Sequence, residues 1–431
     1  MIVRQNPWPK LIALYFSIPS LLLWMFRFVY VGILISAFWL RSAFYGEFNI
    51  LYPVHPSLKF SAALGLLAFE AGIIIGWLRQ KYSVCLKRPK LNWFSLTSWI
   101  IPILLWLFGV LGSVIVFTTI GVPLFEDPML RAQIGFESGI WKRLSYTFMP
   151  LACVELYALA LARKRKSLLL LSYFVIMVTI LIQVLITKKG FILLTILFLL
   201  IVKYKDTRLR LVSRINAKQI TLTRCRTYLR FLACATLALT LISITLRNEP
   251  YSKFDIAIVR VTNLLAQSPN AIVGNYITIP TAAELIHREL KAIGATFRLS
   301  DRLQAVDTEL TNLILGRYIE HGGLNPTVIG YGWIIGGMWG VALLSFFYGL
   351  LTARFYRFSL STSNPCATSC SLLAIYVVFF AVQAFSPVDA FLDLGLSIIA
   401  YIGIHRALEE IMGVKVVYRS PSTQSTTSHV R

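Results

Sequence analysis

Ten runs of apolar residues, most of them close to the length that crosses a bilayer, constrain this chain more than any other feature. They fall at 21–40, 60–78, 97–117, 145–161, 168–186, 191–202, 231–246, 333–352, 372–385 and 392–404. A helix rises about 1.5 Å per residue, so about 20 apolar residues span the roughly 30 Å hydrocarbon core. A water-soluble core has no use for this much apolar surface. Of the 431 residues 57% are hydrophobic and only 14% are charged, against roughly 25% charged in a soluble domain. Mean hydropathy is +0.70. The expected fold is therefore all-α, a polytopic membrane protein with about ten transmembrane helices. The first run is the least regular, because apolar character begins at Leu11 and Arg27 interrupts it. It reads as one tilted crossing, with a tight hairpin as the alternative. It lacks a small-residue cleavage site and should remain a helix.

Charge sets the expected orientation. The formal net charge is +23. In a soluble chain that would point to nucleic acid. Here the basic residues sit in short loops between apolar runs, which is the positive-inside bias, so no nucleic-acid partner is expected. Arg79, Lys81, Lys87, Arg88 and Lys90 fill one loop, and Arg163, Lys164, Arg165 and Lys166 fill another. Lys203, Lys205, Arg208, Arg210, Arg214, Lys218, Arg224, Arg226 and Arg230 crowd a third, opposed by Asp206. Arg4 and Lys10 place the N-terminus on the same, cytoplasmic side. An even number of crossings returns the C-terminus there too. The predicted organisation is seven helices over 1–246, an extracytoplasmic cap loop over 247–329 between the seventh and eighth crossings, three more helices over 330–406, and a cytoplasmic tail over 407–431. The tail's Ser/Thr-rich end reads as disordered.

The cap differs from the cytoplasmic loops in that its basic residues are balanced by acids such as Glu249, Asp255, Glu284, Glu289, Asp301 and Asp307. A segment of that length with a helical patch at 281–293 reads as a folded unit, and loops this long usually carry function. The stretch 167–202 is basic at both flanks and must be a hairpin, which puts Lys188, Lys189 and Gly190 at its outer tip. Gly330, Gly332, Gly336, Gly337 and Gly340 cluster around the start of the eighth run. Close helix packing is the favoured explanation, and a flexible helix start is the other.

No P-loop, GxSxG or HExxH motif is present, and the five histidines show no ligand spacing, so neither metal nor cofactor is expected. The six cysteines (Cys85, Cys153, Cys225, Cys234, Cys366 and Cys370) all fall away from the outer segments, and no disulfide is expected. Cys366 and Cys370 lie four apart without a second ligand pair nearby, which argues against zinc. What stands out is outer-side cations that orientation rules disfavour: Arg131, Lys142 and Arg143 in the smaller outer loop, Lys188 and Lys189 at the hairpin tip, and Arg260, Arg298, Arg302 and Arg317 in the cap. Arginine's rigid fork matches phosphate oxygens, so a group of them suits an anionic lipid head group. Salt bridging within the loops is the plainer alternative for any one of them. Glu320 and His321, just before the eighth helix, are candidate proton acceptors. Glu70 and Glu155 lie inside apolar runs, where a charge is costly, and each reads either as paired or as facing a wet cavity.

Three stretches resemble bacterial oligosaccharide repeat-unit polymerases, the Wzy-type O-antigen and capsule polymerases. Ile120-Gly121-Val122-Pro123-Leu124-Phe125 followed by Arg131 is similar to that family's Gly-x-Pro-Leu outer loop with a downstream arginine. Lys188-Lys189-Gly190 opening an apolar helix is similar to its basic-glycine helix start, with lysine where arginine is commoner. Asn325-Pro326-Thr327-Val328-Ile329-Gly330 is similar to its Pro-Ser/Thr-x-x-Gly approach to a late helix. The related O-antigen ligases carry an Asn after their late histidine, whereas Gly322 follows His321 here.

The resemblance implies an enzyme of the inner membrane that joins sugar repeat units carried on polyprenyl diphosphate, working beside a flippase and a chain-length regulator. It implies Arg131, Lys188, Lys189, Arg260 and Arg317 as diphosphate-binding residues and Glu320 or His321 as the base, with no metal strictly required because the diphosphate is already an activated leaving group. A transporter or lipid flippase, an O-antigen ligase and a non-enzymatic scaffold are the competing expectations.

Overall fold

The computed structural model describes residues 20–39, 54–78, 99–124, 141, 144–186, 189–211, 266, 268–276, 279–296, 327–362, 364–383 and 387–412. Among them the regular structure is entirely helical. The elements are α1 (Ser20–Trp39), α2 (Pro56–Leu78), α3 (Ile100–Ile120), α4 (Met149–Arg163), α5 (Lys166–Leu185), α6 (Lys189–Leu211), α7 (Ala282–Thr296), α8 (Thr327–Ser361), α9 (Pro365–Gln383), α10 (Pro387–Ala390) and α11 (Leu396–Ile411). Two π-helical turns, Leu144–Phe148 and Phe391–Gly395, lead into α4 and α11.

Every predicted run except 231–246, which lies outside the described residues, coincides with one of these helices. Six are long and apolar enough to cross a membrane: Pro56–Trp77, Ile100–Thr119, Leu144–Arg163, Lys166–Leu185, Thr327–Ser361 and Pro365–Gln383. Their outward faces are apolar as well. Phe60, Leu67, Leu111, Leu170, Met177 and Leu343 are all exposed. Side chains of this kind on so many long helices need lipid around them. The chain is an α-helical membrane protein.

The helix ends carry signals that apolar content does not. α9 begins seven residues before the predicted run, at Pro365. The Asn364 side chain accepts the Ala367 amide at 3.3 Å, and proline stands at the first helical position, where it lacks only an amide that would be orphaned anyway. α6 outlasts its apolar run to Leu211 because Lys203 and Lys205 do not break a helix and can reach past the apolar zone. α7 starts at a capping box. The Thr281 amide donates to Glu284 Oε2 at 2.7 Å and the Glu284 amide to Thr281 Oγ1 at 3.3 Å.

α8 contains the one large surprise. A straight 35-residue helix would be about 52 Å long, too long for a bilayer. The helix breaks at Gly336 and Gly337, where Gly337 has φ of 59° and ψ of −142°, a conformation closed to residues with a Cβ. Across the break Gly332 packs directly on Gly340 and Val341. The glycine cluster therefore has two roles: Gly332 and Gly340 permit close packing, and Gly337 permits the turn.

α8 and α2 form the tightest helix pair, with backbone against backbone. A Cβ on Gly72 would meet the Phe346 carbonyl, and one on Gly349 would meet the Phe69 carbonyl. Tyr30 of α1 completes the seam by a 2.9 Å hydrogen bond with Ser345. α3 lies against the π turn through Gly109, Gly112 and Ser113, whose hydroxyl is 2.6 Å from that of Ser145. Trp106 Nε1 donates to Thr179 Oγ1 at 2.9 Å between α3 and α5. Polar ties of this type hold helices together where lipid gives no hydrophobic drive.

The bundle has two distinct ends. At one end Arg357 of α8 donates to the Trp77 carbonyl at the end of α2. Lys205 of α6 donates to the carbonyls of Ser359 and Thr362 at 2.7 and 2.5 Å and to Thr368 Oγ1 at 2.9 Å. The turn holding Arg163, Lys164, Arg165 and Lys166 is at this basic end too. At the opposite end the described pieces of 247–329 pack on the bundle. The Asn270 side chain accepts the His55 amide at 2.8 Å, and Leu285 of α7 clusters with Ile272 and Tyr331.

Candidate functional site

Residues from the three sequence motifs reach the non-basic end of the bundle. α3 ends at Gly121, whose φ of 87° is a left-handed position that glycine takes without strain. The following turn carries Pro123, which is buried. The Leu124 amide then donates to the Leu185 carbonyl at 2.9 Å. Leu185 is the last residue of α5, and α6 opens at Lys189 and Gly190. The first and second motifs, distant in sequence, are thus pinned side by side. Gly330 of the third motif is buried in the first segment of α8, on the same end. Arg131, Lys188, Arg260, Arg317, Glu320, His321, Asn325 and Pro326 lie outside the described residues, as do Lys142, Arg143, Arg298 and Arg302.

The two intramembrane acids are both paired. Arg27 of α1 meets Glu70 of α2 in a two-pronged contact, Nε to Oε1 at 2.5 Å and an Nη to Oε2 at 3.1 Å. The guanidinium also lies 5.1 Å from the centre of the Trp24 ring. This contact explains how a charge is tolerated in the first apolar run. Bidentate pairing satisfies both groups without water.

Glu155 of α4, 3% exposed, sits at a denser polar cluster. Tyr401 Oη of α11 donates to its Oε2 at 2.7 Å. His405 Nε2, one turn further along α11, is 2.8 Å from Oε1. On the other side of the ring, Nδ1 lies 3.7 Å from Glu409 Oε1. Cys366, in the first turn of α9, joins the group, and donor atoms of Glu155, Cys366 and His405 all lie within 4.8 Å of one another. Both helices that supply the acid and the imidazole are entered through a π turn, and Phe148 of one turn stacks edge-on against Tyr401 at 5.3 Å. π turns inside helices recur at functional positions. The lack of ligand spacing among the histidines holds along the sequence; folding supplies the neighbours that His405 lacks there. In sequence the sole signals were the two acids in apolar runs and the Cys366/Cys370 spacing.

Fold and site together define an α-helical membrane protein with a buried Glu–His–Tyr–Cys cluster and, at the end away from its basic loops, a pinned motif junction. No family model, no curated protein and no solved structure matches the chain.

Proposed function

We propose that this protein polymerises polyprenyl-diphosphate-linked oligosaccharide repeat units into a surface polysaccharide, an O-antigen or capsule, at the outer face of a bacterial inner membrane. The observation that carries the reading is the Leu124–Leu185 hydrogen bond. It ties the turn after Gly121 and Pro123 to the end of α5, close in sequence to the start of α6 at Lys189 and Gly190, which supports reading the two motifs that resemble the polymerase family as one site. In this reading the chain makes ten crossings with both termini in the cytoplasm, on the side of the basic loops, and 247–329 caps the outer side.

Arg131, Lys188, Lys189, Arg260 and Arg317 neutralise the diphosphate of the donor. A hydroxyl at the non-reducing end of the incoming lipid-linked unit attacks the anomeric carbon of the growing glycan. The bond from that carbon to the diphosphate oxygen breaks, polyprenyl diphosphate departs, and Glu320 or His321 accepts the hydroxyl proton. The cations supply what such a transfer needs most, stabilisation of charge on the leaving oxygens. A flippase delivers the substrate and a chain-length regulator sets the product size.

A transporter or lipid flippase is the second reading, favoured by the ionisable groups Arg27, Glu70, Glu155 and His405 within the membrane helices. A glycan gel separates the two. Polymerase activity predicts that cells lacking the gene lose the long-chain ladder but keep a single attached repeat unit. Arg131→Ala is expected to give the same pattern at normal membrane levels, and full-length polymer in that variant refutes the assignment of Arg131. Loss of every attached unit on deletion points to a flippase or a ligase. An unchanged ladder leaves a transporter of some other substrate.

A further inference from the structure

We propose that Glu155, Cys366 and His405 form a binding site for a thiophilic divalent cation of the zinc class, fastening α4, α9 and α11 to one another. Carboxylate oxygen, thiolate sulfur and imidazole nitrogen are the donors zinc takes, at bond lengths of about 2.0–2.3 Å. Around a tetrahedral ion such ligands stand roughly 3.3–3.8 Å apart. The donor atoms here run from the 2.8 Å of the Glu155–His405 contact up to a limit of 4.8 Å. Small side-chain rotations bring both ends of that range to the tetrahedral spacing, with no change in the helices. All three side chains are buried, and Cys153, Cys366 and Cys370 are free thiols.

The surroundings are those of an oriented metal ligand set. Metal-binding histidines turn their second nitrogen to a carboxylate, and ligating carboxylates are themselves hydrogen-bonded. Glu409 faces His405 Nδ1 at 3.7 Å and Tyr401 donates to the far oxygen of Glu155 at 2.7 Å. Cys370 lies one turn beyond Cys366 in α9 and is buried beside it. A plain ion pair would account for Glu155 and His405. It would not account for a thiol brought within 4.8 Å of both of them.

The charge arithmetic also favours an exchange. A divalent cation held by the Glu155 carboxylate, the Cys366 thiolate and a neutral imidazole makes a neutral group, so the loaded site places no net charge in a low-dielectric interior. Binding therefore releases protons and tightens as pH rises. The site is independent of the polymerase reading, since it lies away from the motif junction and its test needs no glycan.

The test uses tag-free full-length protein in detergent, stripped with chelator and titrated with Co²⁺ as a spectroscopic stand-in for Zn²⁺. We expect saturable uptake of one equivalent, a near-ultraviolet sulfur-to-cobalt charge-transfer band, and bleaching of that band by Zn²⁺. Cys366→Ser is expected to abolish the band. Glu409→Gln, outside the ligand set, is expected to keep the band and weaken binding about 10–100-fold. No saturable uptake by the unaltered protein, or uptake without the sulfur band, overturns the proposal. So does a band unchanged in Cys366→Ser. Because the unaltered protein alone decides the first two outcomes, a variant that fails to fold does not rescue the proposal.

Discussion

Replacing Gly72 with alanine perturbs the α2–α8 seam by one methyl group, and the structure says what that methyl meets. An added Cβ collides with the Phe346 carbonyl and the Leu350 amide of α8. Both are backbone atoms in a helix and cannot rotate aside, so the two helices must part. In an open helical position the same change gains about 0.5–1 kcal/mol, because alanine loses less chain entropy than glycine. Overpacking a tight interior costs about 1–3 kcal/mol, and a rigid backbone neighbour argues for the upper part of that range. The net expectation is a loss of roughly 1–2 kcal/mol. Gly349→Ala, whose Cβ would meet the Phe69 carbonyl from the other side, should cost a similar amount. The double variant should cost less than the sum, since helices already parted for one methyl accommodate the next. Gly403→Ala is the control: nothing lies within 4 Å of a Cβ there, and it should be neutral or slightly stabilising. The assay is reversible unfolding of purified protein in mixed micelles. A Gly72→Ala protein as stable as the unaltered one, with the control behaving as described, would show that the seam is not packed backbone to backbone.

Three further outcomes are expected. Glu70→Leu removes the carboxylate from Arg27 and should cost roughly 3 kcal/mol, the lower end for breaking a buried pair, because the Glu70 side chain is 21% exposed; Arg27→Met with Glu70→Leu should recover most of it, and a double variant no better than the single one refutes a pairwise role. Lys205→Met withdraws a charged donor from the α8–α9 turn and should cost about 1.5–3 kcal/mol in the same unfolding assay, with a neutral result contradicting the capping role. The hydrogen bonds from Thr281 hold the Glu284 carboxyl below its ordinary value of 4.5. A depressed carboxylate stabilises above its unfolded value and loses that contribution as pH falls through the folded one. Amide protection factors in α7, corrected for the intrinsic pH dependence of exchange, should therefore fall below about pH 4.5, and Thr281→Ala should remove most of that fall.

The positions of the membrane helices were legible because each apolar run declares itself locally. Their ends were less so. Asn364-Pro365 is a capping signal that an apolar count passes over, and the lysines of α6 mark the edge of the apolar zone rather than the edge of the helix. The glycines around the start of the eighth run announce an unusual helix, but not that Gly337 turns the chain and sets Gly332 on Gly340. An acid inside an apolar run is costly alone, yet the sequence does not reveal the partners: Arg27 for Glu70, and His405 with Tyr401 for Glu155.

What the sequence by itself determined is the class of the protein, its all-helical character and the separation of basic loops from charge-balanced ones. These follow from burial and charge summed over contiguous residues, which need no knowledge of any distant neighbour. Only the tertiary structure decided which side chains meet. The Leu124–Leu185 bond, the Gly72–Phe346 contact and the Glu155–Cys366–His405 group each depend on how far a helix is rotated and how closely it crosses another. Rotation and crossing are fixed by packing across the whole bundle, and a π turn of a single extra residue is enough to turn a face by about a quarter of a revolution.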